Sequence, residues 1–476
     1  MITFGTGGWR AVIGDGFTRQ NIQLLAKAMS RKMKAEQVDQ EGIVIGYDRR
    51  FLSKEAVKWA CEVFAAERIR CWFVNRSSPT PLIMFYVEKH QLHYGMMVTA
   101  SHNPAIYNGF KVFTYGGRDA SEEQTRQIEA YARQIEGKEP ITYIEYEKAK
   151  EEGWVMEFNP LNEYLDNIIA NINMQAIRDR GLHIVLDPMY GVSQISLKTI
   201  LATARCEIDL IHETHDTLFG RRMPAPSKNS LTELCTYVTE MNCDLGIATD
   251  GDADRLGVID DRGHYLTANE ILMLLYYYLM EYKGWRGPAV RNVATTHMLD
   301  RMAESFDQVC YEVPVGFKHI SSKMQETGAI IGGESSGGLT VRGHINGKDG
   351  IYAASLLVEM IAVTGKRLSQ LAAEIRERYG SPCMEERSYQ FSQERKEELQ
   401  TILFEDKLLP EFDLPIEKVS YLDGCKVYFR NGGWIIARFS GTEPLLRIFC
   451  ELDSREAAEE NCERFERFLN LDRQAH

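Results

Sequence analysis

The run Asp250-Gly251-Asp252-Ala253-Asp254-Arg255, directly after the apolar segment 245–248, constrains this chain more than any other stretch. Three carboxylates at alternate positions converge on one hard cation if the backbone turns sharply there, and oxygen ligands of this kind suit Mg²⁺ or Mn²⁺. Left without a cation, the same charges repel one another in a confined loop. A strand must therefore end in a turn at this point, and a cation held beside a cleft calls for a phosphate or carboxylate partner. A solvated acidic turn is the plain alternative. An EF-hand fits poorly, because Arg255 stands where its sixth position needs glycine and Asp261 where its twelfth needs glutamate.

A chain of 476 residues exceeds one compact core and suggests roughly three or four domains. With 44% hydrophobic and 26% charged residues the composition is that of a folded globular protein. The formal net charge of −13 argues against non-specific nucleic-acid binding, so an anionic substrate would need a positive site built locally. Ten scattered cysteines with no CxxC pair read as free thiols in a reducing compartment. The amino terminus lacks a signal-peptide pattern, and the strongest apolar run, 271–280, is too short to span a bilayer. A cytoplasmic enzyme that does not engage membranes fits these features.

Along the chain, short β-rich runs at 42–46, 71–75 and 94–99 alternate with amphipathic helical stretches at 53–67 and 121–135. The texture restarts with a helix at 161–172, a strand at 182–186, a helix at 192–201 and strands at 206–211 and 245–248. A third unit carries a helix at 269–282, a strand at 289–293, an apolar entry at 329–331 and helices at 350–364 and 368–378. Gly380-Ser381-Pro382 reads as a linker. Strands at 426–430, 434–438 and 445–450 and a helix at 454–469 then form a smaller α+β domain. The expected architecture is α/β, with domains at 1–152, 153–264, 265–380 and 381–476.

Four further runs can carry chemistry. Thr99-Ala100-Ser101-His102-Asn103-Pro104 places a serine and a histidine in a turn after an apolar strand, with Lys111 close behind. No Gly-x-Ser-x-Gly elbow accompanies it, so acyl transfer is not favoured. Gly332-Gly333-Glu334-Ser335-Ser336-Gly337-Gly338 offers acceptors and hydroxyls suited to a polyol. Arg438-Phe439-Ser440-Gly441-Thr442-Glu443-Pro444, with Arg447 beyond, suits a tetrahedral oxyanion, although the Walker A spacing is absent. Phe4-Gly5-Thr6-Gly7-Gly8-Trp9-Arg10 is another glycine-rich loop ending in a cation. Each has an ordinary turn as its alternative.

Together and in this order, these loops resemble the α-D-phosphohexomutase family of phosphoglucomutases and phosphomannomutases. The resemblance implies three related mixed-sheet α/β units plus a smaller carboxy-terminal domain around a central cleft. It implies Ser101 as a phosphorylated serine and one Mg²⁺ held by Asp250, Asp252, Asp254 and the Ser101 phosphate. Arg10, His102, Lys111 and Arg255 match positions around the phosphoryl-transfer centre, and Lys318, Glu334 and Ser336 match the sugar site. Arg438, Ser440, Gly441, Thr442 and Arg447 match the phosphate-binding loop.

The implied reaction interconverts α-D-glucose 1-phosphate and glucose 6-phosphate through phosphoserine, with glucose 1,6-bisphosphate as intermediate and activator. The rival substrates are mannose and amino-sugar phosphates, and a non-catalytic sugar-phosphate binding protein is the rival of a different class. A hexose monophosphate is the expected partner, and the chain is expected as a monomer or homodimer. Lys111 serves as general base if burial and Arg10 lower its pKa. Family members often carry histidine after the Glu-x-Ser-Gly segment. This chain has Gly338 there, and His344 substitutes only if its loop folds back.

Overall fold

A computed structural model describes residues 2–5, 7–440 and 444–471. Thr6, Gly441, Thr442 and Glu443 therefore lie outside the described residues. The rest forms four sheets, and the first three share one plan. In the first, Ile43–Tyr47 lies between Cys71–Val74 and Tyr94–Val98, both parallel to it, and Tyr107–Thr114 runs antiparallel beside Tyr94–Val98. In the second, His183–Asp187 lies between Glu207–Leu210 and Leu245–Thr249, and Leu256–Ile259 is antiparallel. In the third, Ala289–Asn292 lies between Cys310–Val313 and Ile331–Gly333, and Leu339–Val341 is antiparallel. Numbered along the chain, the core strands of each unit stand in the order second, first, third, fourth.

This plan decides where the polar loops go. In every unit the hairpin from third to fourth strand leaves the sheet at the carboxyl end of a parallel strand, beside the point where strand order reverses. Open α/β sheets bind ligands at this position. The serine loop, the aspartate loop and the Glu334 loop are the same loop in three successive units.

Buried strands read as continuous apolar runs because both faces are covered. In the first sheet, Ile43, Ile45, Met96 and Val98 pack with the helices Arg19–Ala35 and Ser53–Ala66. Val44 and Met97 point the other way, toward Leu82 and Ile83 of Thr80–Lys89, in a cluster that continues into the second and third units. The first three units thus share apolar packing. Further strands extend the first sheet at both edges, and one of them, Val155–Phe158, lies beyond position 152. The second sheet likewise takes its edge strand from Tyr265–Leu266.

The fourth sheet is antiparallel throughout, with Cys383–Gln390 paired to Leu445–Leu452, then Trp434–Phe439, Cys425–Phe429 and Ile416–Ser420. Its own core includes Leu446, Ile448 and Phe465 of the helix Arg455–Leu469. Val293 and Ala294 of the third unit pack against Trp434, Ile436 and Phe449 of the fourth. All ten cysteines are unpaired. Among the described residues no helix is long and apolar enough to cross a membrane.

Candidate active site

The serine loop and the aspartate loop meet face to face. Ser101 is 1% exposed and sits in the left-handed region at φ 49°. Its amide donates to Thr99 Oγ1 at 2.8 Å, and its hydroxyl donates to Asp250 Oδ2 at 2.6 Å. Gly251 permits this approach, since a Cβ there would lie 2.9 Å from the Ser101 carbonyl. Beneath the loop, the Arg50 guanidinium donates to four carbonyls, those of Ser101, Asn103, Pro104 and Tyr107, at 2.6–3.0 Å. Buried Asp48 accepts from Thr99 and Ser53 at 2.7 and 2.9 Å and lies 3.4 Å from Arg50.

Asp250, Asp252 and Asp254 are buried, and one carboxylate oxygen of each falls within 4.8 Å of the others. Asp250 Oδ1 is held by the amides of Asp254 and Arg255 at 3.0 and 3.1 Å. Asp252 Oδ2 accepts from Thr80 and Lys111, and Asp254 Oδ2 from Lys111, at 2.5–2.7 Å. Asp252 Oδ1 and Asp254 Oδ1 are buried without a hydrogen-bond partner. Two orphaned anionic oxygens next to a third carboxylate fit a hard divalent cation, which would satisfy all three.

Electrostatics around the loop are strongly coupled. Burial and the neighbouring Asp252 and Asp254 push the Asp250 carboxyl well up. Burial also disfavours charge on Asp254, but Lys111, Lys348 and Arg255 outweigh it and hold this carboxyl well below the usual range. Asp252 is lowered too, against burial and Asp254, by its bond from Lys111. Burial lowers His102 to about 2, helped by Arg255 and Arg10, so the imidazole is neutral at ordinary pH. Its Nδ1 lies 3.3 Å from Ser101 Oγ. Lys111 corrects an expectation: burial does lower it, but the three aspartates outweigh burial and its pKa rises. In this arrangement it is an ammonium bridging two carboxylates rather than a ready base.

Burial lowers the Arg10 guanidinium as well, although Asp252 opposes the effect. Arg10 donates to Asn103 Oδ1, which ties the amino-terminal loop to the serine loop. Arg255 Nε lies 4.0 Å from Asp254 Oδ1 and is a buried donor without a hydrogen-bond partner.

Of the remaining predicted residues, Lys318 and Arg438 line a common cavity, and Glu334 is buried nearby in the third unit. Glu334 accepts from Asn292, the Gly316 amide and Ser336, each at 3.3 Å. Lys318 reaches across to Glu122 of the first unit at 2.7 Å. A cavity of about 430 Å³ is lined by Gly8, Lys111, Glu122, Lys318 and Arg438 among others, a size suited to a small-molecule ligand. Arg438 is held by Asp423 at 2.8 Å and stands directly opposite Arg447 on the neighbouring strand. Like charges opposed across a ladder are unfavourable alone, and an anion between them relieves the repulsion. The Ser440 amide donates to the Leu445 carbonyl at 2.8 Å, closing the base of the loop whose tip, with Gly441 and Thr442, lies outside the described residues.

Two outcomes concern the missing histidine. His344 does not fold back into the cleft, because its imidazole contacts Asp349 at 2.6 Å and Asn167 at 3.0 Å and its side chain is fully buried. Instead, a Cβ at Gly338 would lie 2.2 Å from Lys348 Cδ, so the bare glycine makes room for the lysine stem. Lys348 Nζ then sits 3.1 Å from Asp254 Oδ2. Sequence reasoning missed Lys348, Arg50, Asp48 and Thr80. The available signal was the position of Lys348 one residue before the helix cap Asp349 and soon after the Glu334 loop.

Family models of phosphoglucomutase/phosphomannomutase match all along the chain: α/β/α domain I at 1–139, domain II at 162–263, domain III at 267–379 and the C-terminal domain at 397–468. The chain is 28% identical over 463 residues to a "Phosphoglucomutase/phosphomannomutase" of Thermococcus kodakarensis, covering 97% of this chain and 96% of that one. It is 30% identical over 477 residues to a "Probable phosphoglucosamine mutase" of Methanosarcina acetivorans, covering 98% and 99%. A solved phosphoglucomutase/phosphomannomutase family protein from Burkholderia thailandensis superposes with a TM-score of 0.83 at 22% identity over 99% and 98% of the two chains, which shows the shared fold. With its four matched domains in order, the chain belongs to the phosphoglucomutase/phosphomannomutase family of the α-D-phosphohexomutase superfamily.

Proposed function

We propose that this chain moves a phosphoryl group between the C1 and C6 hydroxyls of an α-D-hexose phosphate by way of phosphorylated Ser101, with glucose phosphates as its substrates. The observation that carries this reading is the buried contact between Ser101 Oγ and Asp250 Oδ2, which sets a hydroxyl against an aspartate cluster with two orphaned oxygens. Asp250, Asp252 and Asp254 would hold Mg²⁺, which when bound offsets negative charge developing on the serine and phosphoryl oxygens.

In the forward half-reaction the bond from phosphorus to Ser101 Oγ breaks as a bond to the sugar oxygen forms. The hydroxyl proton leaves late if the transition state is loose and ends on the departing Ser101 Oγ, by way of an oxygen of the transferring phosphoryl group, so no strong base is required. Arg10, Arg255, Lys111 and Lys348 supply the positive field around the transferring group. Arg438 and Arg447 would hold the phosphate that is not reacting, and its binding energy then positions the far hydroxyl. The bisphosphate turns by about half a revolution, exchanges the two ends, and returns the other phosphate to Ser101. Glu334, Ser336 and Lys318 would hold the ring.

A second reading, an amino-sugar phosphate substrate, is favoured by the name of the Methanosarcina acetivorans relative. Initial rates with the 1-phosphates of glucose, mannose, glucosamine and N-acetylglucosamine, each with its bisphosphate, separate the two. A kcat/KM at least about tenfold higher for glucose 1-phosphate is expected, corresponding to about 1.4 kcal/mol of discrimination. A preference for an amino sugar replaces glucose, and the absence of turnover on all four sinks the mutase reading.

A further inference from the structure

A second cluster of donors lies at the end of the second sheet away from the aspartate loop. His183 opens its strand, Asp209 sits on the edge strand Glu207–Leu210, and Cys243 precedes Leu245–Thr249. The parallel ladder brings these strand ends together: the Asp244 amide donates to the His183 carbonyl at 2.8 Å, and the His183 amide donates to Asp244 Oδ2 at 2.9 Å. One ring nitrogen, His183 Nε2, lies 2.8 Å from Asp209 Oδ2 and 3.8 Å from Cys243 Sγ. One donor atom from each of the three residues falls within 4.8 Å of the others.

We propose that His183, Asp209 and Cys243 form a binding site for a borderline-soft divalent cation of the Zn²⁺ type, distinct from the aspartate loop. An imidazole nitrogen, a thiolate and a carboxylate make up a donor set that Zn²⁺ takes and Mg²⁺ does not. Tetrahedral Zn²⁺ would separate such donors by on the order of 3.4–3.6 Å, which the observed 2.8 and 3.8 Å reach with small side-chain adjustments. Burial, followed by the carboxylates of Asp209, Asp244 and Glu207, pushes the Cys243 thiol up to about 11, so a cation bound here must displace the thiol proton.

Cys243 is 2% exposed, whereas the His183 and Asp209 side chains are 20% and 32% exposed. The cation therefore enters from the solvent side and keeps water as its outer ligand, while the sulfur stays shielded. The thiol releases its proton to solvent on binding. At about 3.3 Å per residue, the extended path from Cys243 to Asp250 spans about 23 Å, so this cation does not touch the phosphoryl-transfer centre. Its effect is to clip the edge strand to the centre of the second sheet.

Titrating chelator-treated protein with Co²⁺ in saturating Mg²⁺ tests the site, because a thiolate ligand gives Co²⁺ a near-ultraviolet charge-transfer band. The band is expected to saturate at one equivalent, to be displaced by Zn²⁺, and to persist in Asp254→Asn. Cys243→Ser is expected to abolish it, and His183→Ala to weaken Co²⁺ binding at least tenfold. A wild-type spectrum without the band, or a band that survives in Cys243→Ser, overturns the assignment. A wild-type spectrum without the band overturns the assignment even if a variant fails to fold.

Discussion

Ser101 Oγ donates a 2.6 Å hydrogen bond to Asp250 Oδ2 across 149 positions of sequence, joining the first sheet to the second at its buried polar centre. Under the proposed mechanism this hydroxyl is the phosphoryl carrier. Ser101→Ala is expected to lower turnover by at least about 10⁴-fold, the scale seen when a covalent nucleophile is removed. It also strands one Asp250 oxygen, at a stability cost of about 1–3 kcal/mol. Hexose phosphate turnover and intact mass after incubation with the bisphosphate check both points. A variant that still gains one phosphoryl group, or turns over at a tenth of the wild-type rate, rules out Ser101 as the carrier.

Arg50 acts one layer further down. Its two terminal nitrogens each take two carbonyls of the serine loop, a fork that a lysine ammonium does not reproduce. Arg50→Lys is therefore expected to lower kcat about 10–100-fold with KM changed less than about threefold, because the loop is misplaced while substrate contacts remain. An equal rise in KM would show that Arg50 serves binding instead.

The pair of arginines opposed across the fourth sheet carries a different signature. Arg438→Ala removes a charge-assisted hydrogen-bond donor from the proposed distal phosphate, worth about 1.5–3 kcal/mol. KM for the sugar monophosphate is expected to rise about 10–100-fold. Unchanged KM would move the distal phosphate away from Arg438 and Arg447.

What could be read beforehand follows from how each feature is encoded. The polar loops were legible because each is several residues long, rich in glycine and hydroxyls, and preceded by an apolar strand. The residues that support them are single side chains with ordinary neighbours: Asp48, Arg50 and Thr80 acquire meaning only when the chain returns to them. The strand Cys383–Gln390 was missed because its run of charged residues lacks an apolar pattern. Eight register pairs with Leu445–Leu452 hold it in place, a tertiary override of weak local preference. Val155–Phe158 escaped notice for a related reason, as a half-exposed edge strand with one parallel neighbour. The equivalence of the three loops was likewise invisible, because it resides in strand order rather than in residue identity.

Lys348 can be tested together with the glycine that admits it. Lys348→Met keeps an apolar stem over Gly338 and deletes the ammonium beside Asp254, so kcat/KM is expected to fall about 10²-fold, the scale for losing one preorganised charge-stabilising donor. Gly338→Ala places a Cβ 2.2 Å from Lys348 Cδ and must displace the side chain. Its effect on kcat/KM should largely vanish when combined with Lys348→Met. Additive losses in the double variant would separate the two residues.

Glu88 links the first unit to the third and gives stability a pH dependence unconnected with catalysis. It lies on Thr80–Lys89, with Oε1 3.5 Å from Asn346 Nδ2 and Oε2 buried without a hydrogen-bond partner. Burial pushes its carboxyl up to about 7 from an ordinary 4.5. The folded chain therefore holds a proton that the unfolded chain has lost across this window, and stability falls as pH rises through it. At 1.36 kcal/mol per pH unit, reduced for solvent screening at a partly exposed group, the penalty above pH 7 is on the order of 1–2 kcal/mol. Glu88→Gln presents a neutral side chain of the same shape at every pH. Its Tm is expected to exceed the wild-type value by about 2–4 °C at pH 8 and to match it at pH 4.5. A difference that stays constant over that range would show that the substitution acts through packing and not through the buried charge.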